Sequence, residues 1–104
     1  MRVLFVCLGN ICRSPTAEGV LRHKLREAGL AGQIEVASAG TGDWHVGTAP
    51  DKRSQAAAKL RGYDLSAQRA QQVSRADFSS YDLILAMDNS NLRNLKALQT
   101  DKGR

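Results

Sequence analysis

The chain has 104 residues, which is room for a single domain with one hydrophobic core. Apolar residues make up 42% of the sequence, and no apolar run approaches the ~20 residues that a membrane span requires, so we expect no membrane partner. The formal charge of +5 favours anionic ligands, but the basic residues are scattered and no aromatic residues alternate with them, which argues against nucleic-acid binding.

The first predicted element is a buried strand. Residues 2–6, RVLFV, form a run rich in β-branched residues, and Cys7 ends it. Continuous rather than alternating hydrophobicity indicates a strand covered on both faces, as in a parallel sheet. The run is too short for a secretory signal, and Cys7 and Cys12, the two cysteines, share one short loop, so they cannot form a disulfide framework. We therefore expect a reducing, cytoplasmic compartment.

A helix and a second strand are predicted next. Ser14 can cap the helix, Pro15 suits its first turn, and Gly29 stops it. Residues 34–40, IEVASAG, form the second strand and lead into a long polar loop that contains the single tryptophan.

The second half of the chain continues the alternation. Helix resumes over residues 51–61, and a short helical turn capped by Ser74 follows. Residues 82–87, DLILAM, are a third buried strand, and Asp88 is available to cap the next helix. Strands and helices that alternate over short connections predict a three-layer α/β fold with a parallel twisted sheet.

The loop VCLGNICRSP joins the first strand to the first helix. A junction of this type directs backbone N–H groups and the positive end of the helix dipole into one concavity. Cys7, at the end of the strand, faces that concavity and should ionise readily. Arg13 offers a planar fork that fits two phosphoryl oxygens.

Three further residues of the loop fit this chemistry. Gly9 permits a close backbone approach, and Asn10 is the non-glycine type that best tolerates a left-handed conformation. Ser14 can donate its hydroxyl hydrogen to the sulfur. The pattern alone also fits a plain turn between a strand and a helix, but the position of Cys7 at a strand end favours a phosphate-binding loop built around a nucleophile.

Three segments resemble one family, the low-molecular-weight protein tyrosine phosphatases. VLFVCLGNICRSPTAEGVL is similar to the family signature, SAGTGDWHVGTAPD to the substrate-recognition loop of bacterial members, and DLILAMDNSNLRNL to their third strand and following helix. The resemblance implies a flavodoxin-like sheet, with the three strands present here in the order 2-1-3. It implies phosphotyrosine-containing proteins as substrates, and neither a cofactor nor a metal.

The resemblance also implies a phosphocysteine mechanism. Cys7 would attack phosphorus in line while Arg13 and the loop amides hold the equatorial oxygens, and water would later release phosphate. Ser14 would stabilise the leaving thiolate, and Asn10 would hold the loop conformation. The residues whose backbone is expected to bind the phosphate or another oxyanion are Leu8, Gly9, Asn10, Ile11 and Cys12.

Four other positions take their roles from the resemblance. Cys12 matches a second cysteine that forms a reversible disulfide with the nucleophile, and the alternative is simple loop packing. Trp44 matches the aromatic wall beside the phenyl ring of phosphotyrosine, with a surface-packed tryptophan as the alternative. His45 is interpreted as a loop residue rather than a base. Asp88 lies at the ligand-binding edge of the sheet, where we expect it to cap the next helix.

The sequence departs from the family pattern in two places. Gln68 stands where the family often carries a histidine that supports the loop. The general acid of the family is an aspartate followed by proline, and neither Pro15 nor Pro50 follows an aspartate. We therefore interpret residues 1–104 as a single phosphatase-like domain that is C-terminally incomplete relative to the family, without its fourth strand.

These departures leave alternative functions open. The chain is a phosphotyrosine phosphatase, or a phosphate-binding or weakly active truncated form that lacks the Asp-Pro acid. An arsenate reductase of related fold needs further cysteines downstream, and none follows Cys12. Without a fourth strand, the exposed edge of the third strand would favour a dimer.

Overall fold

The computed structural model describes residues 1–102, with side chains up to residue 98. Within this range one open sheet contains three parallel strands, β1 (Arg2–Cys7), β2 (Glu35–Gly40) and β3 (Leu83–Ala86), in the order β2-β1-β3. The predicted fold class and strand order are confirmed. In the register of the central strand, Cys7 pairs with Gly40 and Val6 with Ala86, so the carboxyl ends of all three strands meet at one edge.

Helices connect and cover the strands. They are α1 (Arg13–Glu27), α2 (Lys52–Leu60), α3 (Asp77–Ser80) and α4 (Asn89–Lys102). The chain order is β1-α1-β2-α2-α3-β3-α4, as the alternation of patterns predicted. No helix in the described residues is both long and apolar enough to cross a bilayer.

Two predicted helix caps are wrong. Ser14 lies inside the first turn of α1, and Cys12 occupies the N-cap position without a side-chain capping bond. The N-cap of α3 is Ala76, and Ser74 instead donates its backbone N–H to the Asp77 carboxylate. The hydroxyl of Ser14 instead contacts the sulfur of Cys7, and Ser74 lies three residues before the first residue of α3.

The core lies on one face of the sheet, opposite α1. Its buried members come from all parts of the chain and are Leu4, Val6, Ala39, Val73 and Leu95. Because side chains alternate along a strand, Ser38 and Phe5, which pair in register, face the other side, where α1 packs. On that same face Leu83 and Leu85 of β3 remain 40% and 38% exposed.

Candidate active site

The loop between β1 and α1 adopts a conformation that asparagine tolerates and that most other residues avoid. Asn10 has a φ of +57°, and it is the one non-glycine residue in the described range with a positive φ. Its side chain is buried and fully engaged. Nδ2 donates to the hydroxyl oxygens of Ser14 and Ser38, both at 2.9 Å, while Oδ1 accepts the Gln71 amide at 2.9 Å. The turn is therefore tied to α1, to β2 and to the segment before α3.

The sulfur of Cys7 lies at the floor of this loop. The residue is buried and its thiol is free. Ser14 Oγ lies 2.9 Å from Sγ, and the backbone N–H of Asn10 donates to Sγ at 3.2 Å. These two contacts fix the position of the sulfur relative to the loop and to α1. Ser14 reaches it because the residue sits in the first turn of α1 rather than at the cap.

Backbone donors around the sulfur are unoccupied. In the described residues, the amide nitrogens of Leu8, Gly9, Ile11 and Cys12 donate to no other protein group. They lie in the loop that leads into α1, whose N-terminal end adds partial positive charge. Unpaired amides at the N-terminal end of a helix form the arrangement that binds phosphate and related oxyanions.

Arg13 begins α1 and reaches across the sheet edge to the end of β3. Its guanidinium donates to Asp88 Oδ2 at 2.9 Å, while Oδ1 of the same carboxylate accepts the Asn91 amide at 2.8 Å. Asp88 thus caps α4, as the sequence predicts. The Asn91 hydrogen bond, followed by that from Arg13, lowers the pKa of Asp88 below its ordinary value of 3.8. One guanidinium nitrogen is engaged, and the side chain is 54% exposed, so the fork stays accessible to a ligand.

The loop after β2 lies against the Cys7 loop. A Cβ added at Gly9 would lie 3.0 Å from the ring of His45, so that ring rests on the loop backbone. Trp44 packs its ring over Gly42 and remains 70% exposed. Cys12 is exposed, whereas Cys7 is buried, and both thiols are free. The roles expected of His45, Trp44 and Cys12 therefore stay predictions.

Gln68 takes a different position from the one expected of a loop support. Its Nε2 donates to the carbonyl of Pro15 at 2.9 Å, and its Oε1 is buried without a hydrogen-bond partner. The support of Asn10 comes instead from the backbone N–H of Gln71, whose side chain also donates to the carbonyl of Ser38 at 2.9 Å. Gln68 thus steadies the first turn of α1.

Sequence reasoning missed a second polar layer behind the loop. Ser38 donates its hydroxyl to Glu18 Oε1 at 2.6 Å, and Glu18 Oε2 pairs with the guanidinium of Arg22 at 2.7 Å. Two signals were present. Glu18 follows Ser14 by four residues, which places both on one face of α1, and Ser38 is a polar residue inside an otherwise apolar strand segment. No cluster of three potential metal-ligating side chains occurs in the described part of the chain.

Comparison with known proteins identifies the family to which this chain belongs. A profile of the family described as "Low molecular weight phosphotyrosine protein phosphatase" matches residues 2–104. The chain belongs to this family. One relative is the low molecular weight protein-tyrosine-phosphatase YfkJ of Bacillus subtilis, 44% identical over 96 residues, which are 92% of this chain and 62% of the relative. Its crystal structure has a TM-score of 0.94 at 42% identity and covers 98% of this chain and 64% of its own.

Two further solved structures are similar to this chain and are named for different ligands. DARP, a drosophila arginine phosphatase, has a TM-score of 0.91 at 40% identity, over 97% of this chain and 63% of its own. Vibrio vulnificus Wzb, solved with benzylphosphonate, has a TM-score of 0.84 at 34% identity, over 96% of this chain and 66% of its own. The chain spans between 58% and 67% of the length of the relatives compared with it.

Proposed function

We propose that this chain carries the nucleophile and the phosphate-binding loop of a phosphatase that acts on phosphotyrosine in proteins. The observation that carries the proposal is the Cys7 sulfur, held at 2.9 Å from Ser14 Oγ and at 3.2 Å from the Asn10 amide. It lies beneath a loop whose remaining amides are unoccupied. Family membership supports the same conclusion, and two free cysteines fit a reducing, cytoplasmic compartment.

The first chemical step is an in-line displacement at phosphorus. Cys7 attacks as the thiolate, a P–S bond forms, and the P–O bond to the tyrosine oxygen breaks, with the electron pair leaving on that oxygen. The guanidinium of Arg13 and the loop amides hold the three equatorial oxygens, whose charge they stabilise as it spreads in the transition state. The departing phenolate takes up a proton from water, because the sequence contains no Asp-Pro pair to supply one.

The second step reverses the roles at sulfur. Water attacks phosphorus, the P–S bond breaks, and the electron pair returns to Cys7 as phosphate leaves. The thiolate then needs a donor at the moment at which it departs, and the Ser14 hydroxyl is within hydrogen-bond distance. A donor already in place costs no reorganisation during the reaction.

Specificity for an aromatic phosphoester rests on the rim of the site. Trp44 exposes most of its indole on the loop that contacts Gly9 through His45, which suits it to flank a phenyl ring. Wzb was solved with benzylphosphonate, an aryl ligand, but DARP is named for an arginine substrate. Phosphotyrosine and phosphoarginine peptides of one sequence should therefore be compared, and turnover confined to phosphoarginine would overturn the phosphotyrosine assignment.

The nucleophile is tested by Cys7→Ser. We expect turnover of a phosphotyrosine peptide to be lost, while inorganic phosphate still binds, because the loop amides and Arg13 remain. Isothermal titration measures the binding and phosphate release measures the turnover. Glu27→Gln, a change at an exposed ion pair on α1, is the control and should retain both. Turnover that persists in Cys7→Ser would end the proposal.

For the 104-residue polypeptide itself, a phosphate-binding or weakly active form is the second candidate, because its sequence contains no Asp-Pro pair. Loss of a general acid typically costs about 10²–10⁴-fold, most for a leaving group that needs a proton. The polypeptide should then hydrolyse nitrophenyl phosphate, whose leaving group needs little protonation, far better than phosphotyrosine. Equal kcat/KM on the two substrates would exclude this candidate.

A further inference from the structure

We propose that a cavity beside the Cys7 loop is a substrate subsite, which binds an aliphatic side chain two residues away from the phosphotyrosine of a protein substrate. The cavity has a volume of about 330 Å³ and lies between the loop after β2 and α4. Its walls include Leu8, Trp44, Val73 and Leu98. The inference rests on the proposed function, because it requires that a phosphotyrosine side chain enters the neighbouring Cys7 loop.

The cavity is continuous with the site of the nucleophile. Leu8 follows Cys7 directly in the chain, and its side chain, which is 50% exposed, lines the cavity. The loop after β2 is bound to the same stretch of backbone, because the amides of Thr41 and Gly42 donate to the carbonyls of Cys7 and Leu8, both at 2.9 Å. A peptide that leaves the Cys7 loop over Leu8 therefore crosses this cavity.

Trp44 supplies the aromatic wall of the cavity. Its indole lies directly over Gly42, where a Cβ would overlap the ring, so the absence of a side chain at this position gives the indole its place. Because most of the residue is exposed, the indole has surface available to the cavity as well as to a phenyl ring held in the Cys7 loop. One side chain can thus contact two neighbouring parts of a substrate.

The lining of the cavity favours an uncharged, aliphatic side chain. Val73 belongs to the core, and Leu98 packs against the same core while it lines the cavity. Among the described residues, no charged side chain contributes to the lining. The hydroxyl of Thr41 is buried, and the side-chain amide of Gln72 donates to the Thr41 carbonyl at 3.3 Å. A charged group would lose hydration here without gaining an ionic partner, whereas an aliphatic group gains from burial.

The geometry of an extended peptide determines which residue enters the cavity. Side chains alternate between the two faces of an extended chain, so the residue next to the phosphotyrosine points away from the protein surface. The second residue points to the same surface as the phosphotyrosine, roughly 7 Å along the peptide. A cavity that begins at Leu8, the neighbour of Cys7, lies within this reach.

Peptides that carry phosphonomethyl-phenylalanine in place of phosphotyrosine test the subsite, because they bind without being hydrolysed. One pair carries leucine or glutamine at the second residue before the phosphonate, and another pair carries them at the second residue after it. Leucine and glutamine are similar in size and uncharged, so the comparison isolates apolar burial. Fluorescence anisotropy measures Kd. In one of the two pairs we expect the leucine peptide to bind about three- to tenfold more tightly, which is part of the gain for a fully buried leucine.

Three leucine-to-glutamine variants locate the preference. Leu98→Gln should bring the Kd values of the two peptides together, because it makes one wall of the cavity polar. Leu8→Gln should do the same at the opposite wall, and it keeps the inference testable if Leu98→Gln does not fold. Leu60→Gln is the matched control, since Leu60 is 90% exposed at the end of α2, and it should keep the preference for leucine.

Titration with inorganic phosphate separates the subsite from the Cys7 loop, because phosphate has no side chain that could enter the cavity. The inference is overturned if phosphonate peptides displace phosphate but leucine gives no preference, or if the preference survives in both Leu98→Gln and Leu8→Gln; the proposed function then stands. If phosphate binds and no phosphonate peptide displaces it, the phosphotyrosine assignment fails, and the subsite fails with it.

Discussion

Gly40 is the position at which the Cys7 loop should be most sensitive to a single methyl group. It ends β2 beside Cys7, and a Cβ added there would lie 2.7 Å from the carbonyl oxygen of Leu8 and 3.1 Å from the nitrogen of Asn10. Its φ is not positive, so the requirement for glycine comes from space and not from backbone conformation.

The cost of Gly40→Ala follows from these distances. The contact with Leu8 must open by about 0.7 Å to reach ordinary van der Waals separation, and both partners are backbone atoms that cannot rotate away. Overpacking of this kind costs about 1–3 kcal/mol of folding free energy. A shift approaching 1 Å at reacting groups costs about 10²-fold in rate, so we expect kcat/KM to fall about 10- to 100-fold.

The assay compares Gly40→Ala with Gly32→Ala. A Cβ at Gly32 would meet nothing within 4 Å, so this variant adds the same methyl group without a clash. Its unfolding free energy should stay within about 0.5 kcal/mol of wild type. Urea unfolding measures stability, and titration with inorganic phosphate measures the loop directly. If Gly40→Ala unfolds and binds phosphate as wild type does, the close packing deduced here is wrong.

Three other predictions concern charge, redox chemistry and assembly. Because the pKa of Asp88 is lowered in the folded state, its carboxylate stabilises the fold above the ordinary value of 3.8, and this stabilisation is lost as pH falls through the lower folded value. The difference in unfolding free energy between wild type and Asp88→Asn, which can still cap, should therefore shrink below about pH 4 in urea titrations. A constant difference would refute this. Mild peroxide should oxidise Cys7 to a sulfenic acid that condenses with Cys12, releasing water; Cys12→Ser should then lose recovery by thiols, and full recovery would contradict the redox role. The 104-residue polypeptide should self-associate through the edge of β3, and sedimentation that shows a stable monomer would exclude this.

Local sequence patterns were sufficient for the sheet and for the Cys7 loop. A continuous apolar run predicted the buried central strand, and Gly9 with Asn10 predicted a turn that approaches the sulfur closely. The same local reasoning failed at Ser14. Serine is favoured at helix N-caps, but here the hydroxyl lies 2.9 Å from the sulfur of Cys7, and the N-cap is Cys12, two residues earlier.

The polar layer behind the loop was beyond local patterns because its bonds join distant segments. Asn10 and Gln71 are 61 residues apart, and Ser38 and Glu18 are 20 apart, so no window of the sequence contains both partners. Their positions follow from the tertiary packing of α1 on β2, after which a buried serine and a buried glutamate must satisfy each other. A polar residue inside an apolar pattern needs a hydrogen-bond partner when it is buried, and looking for such partners in the sequence would have indicated this layer.

Gln68 stands where the family often carries a histidine that supports the Cys7 loop, and in this chain the support comes from other contacts. With its Nε2 on the Pro15 carbonyl, it steadies the turn of α1 that carries Ser14, and the backbone of Gln71 takes over the orientation of Asn10. A backbone N–H cannot titrate, so the orientation of the Asn10 amide does not depend on pH at this contact.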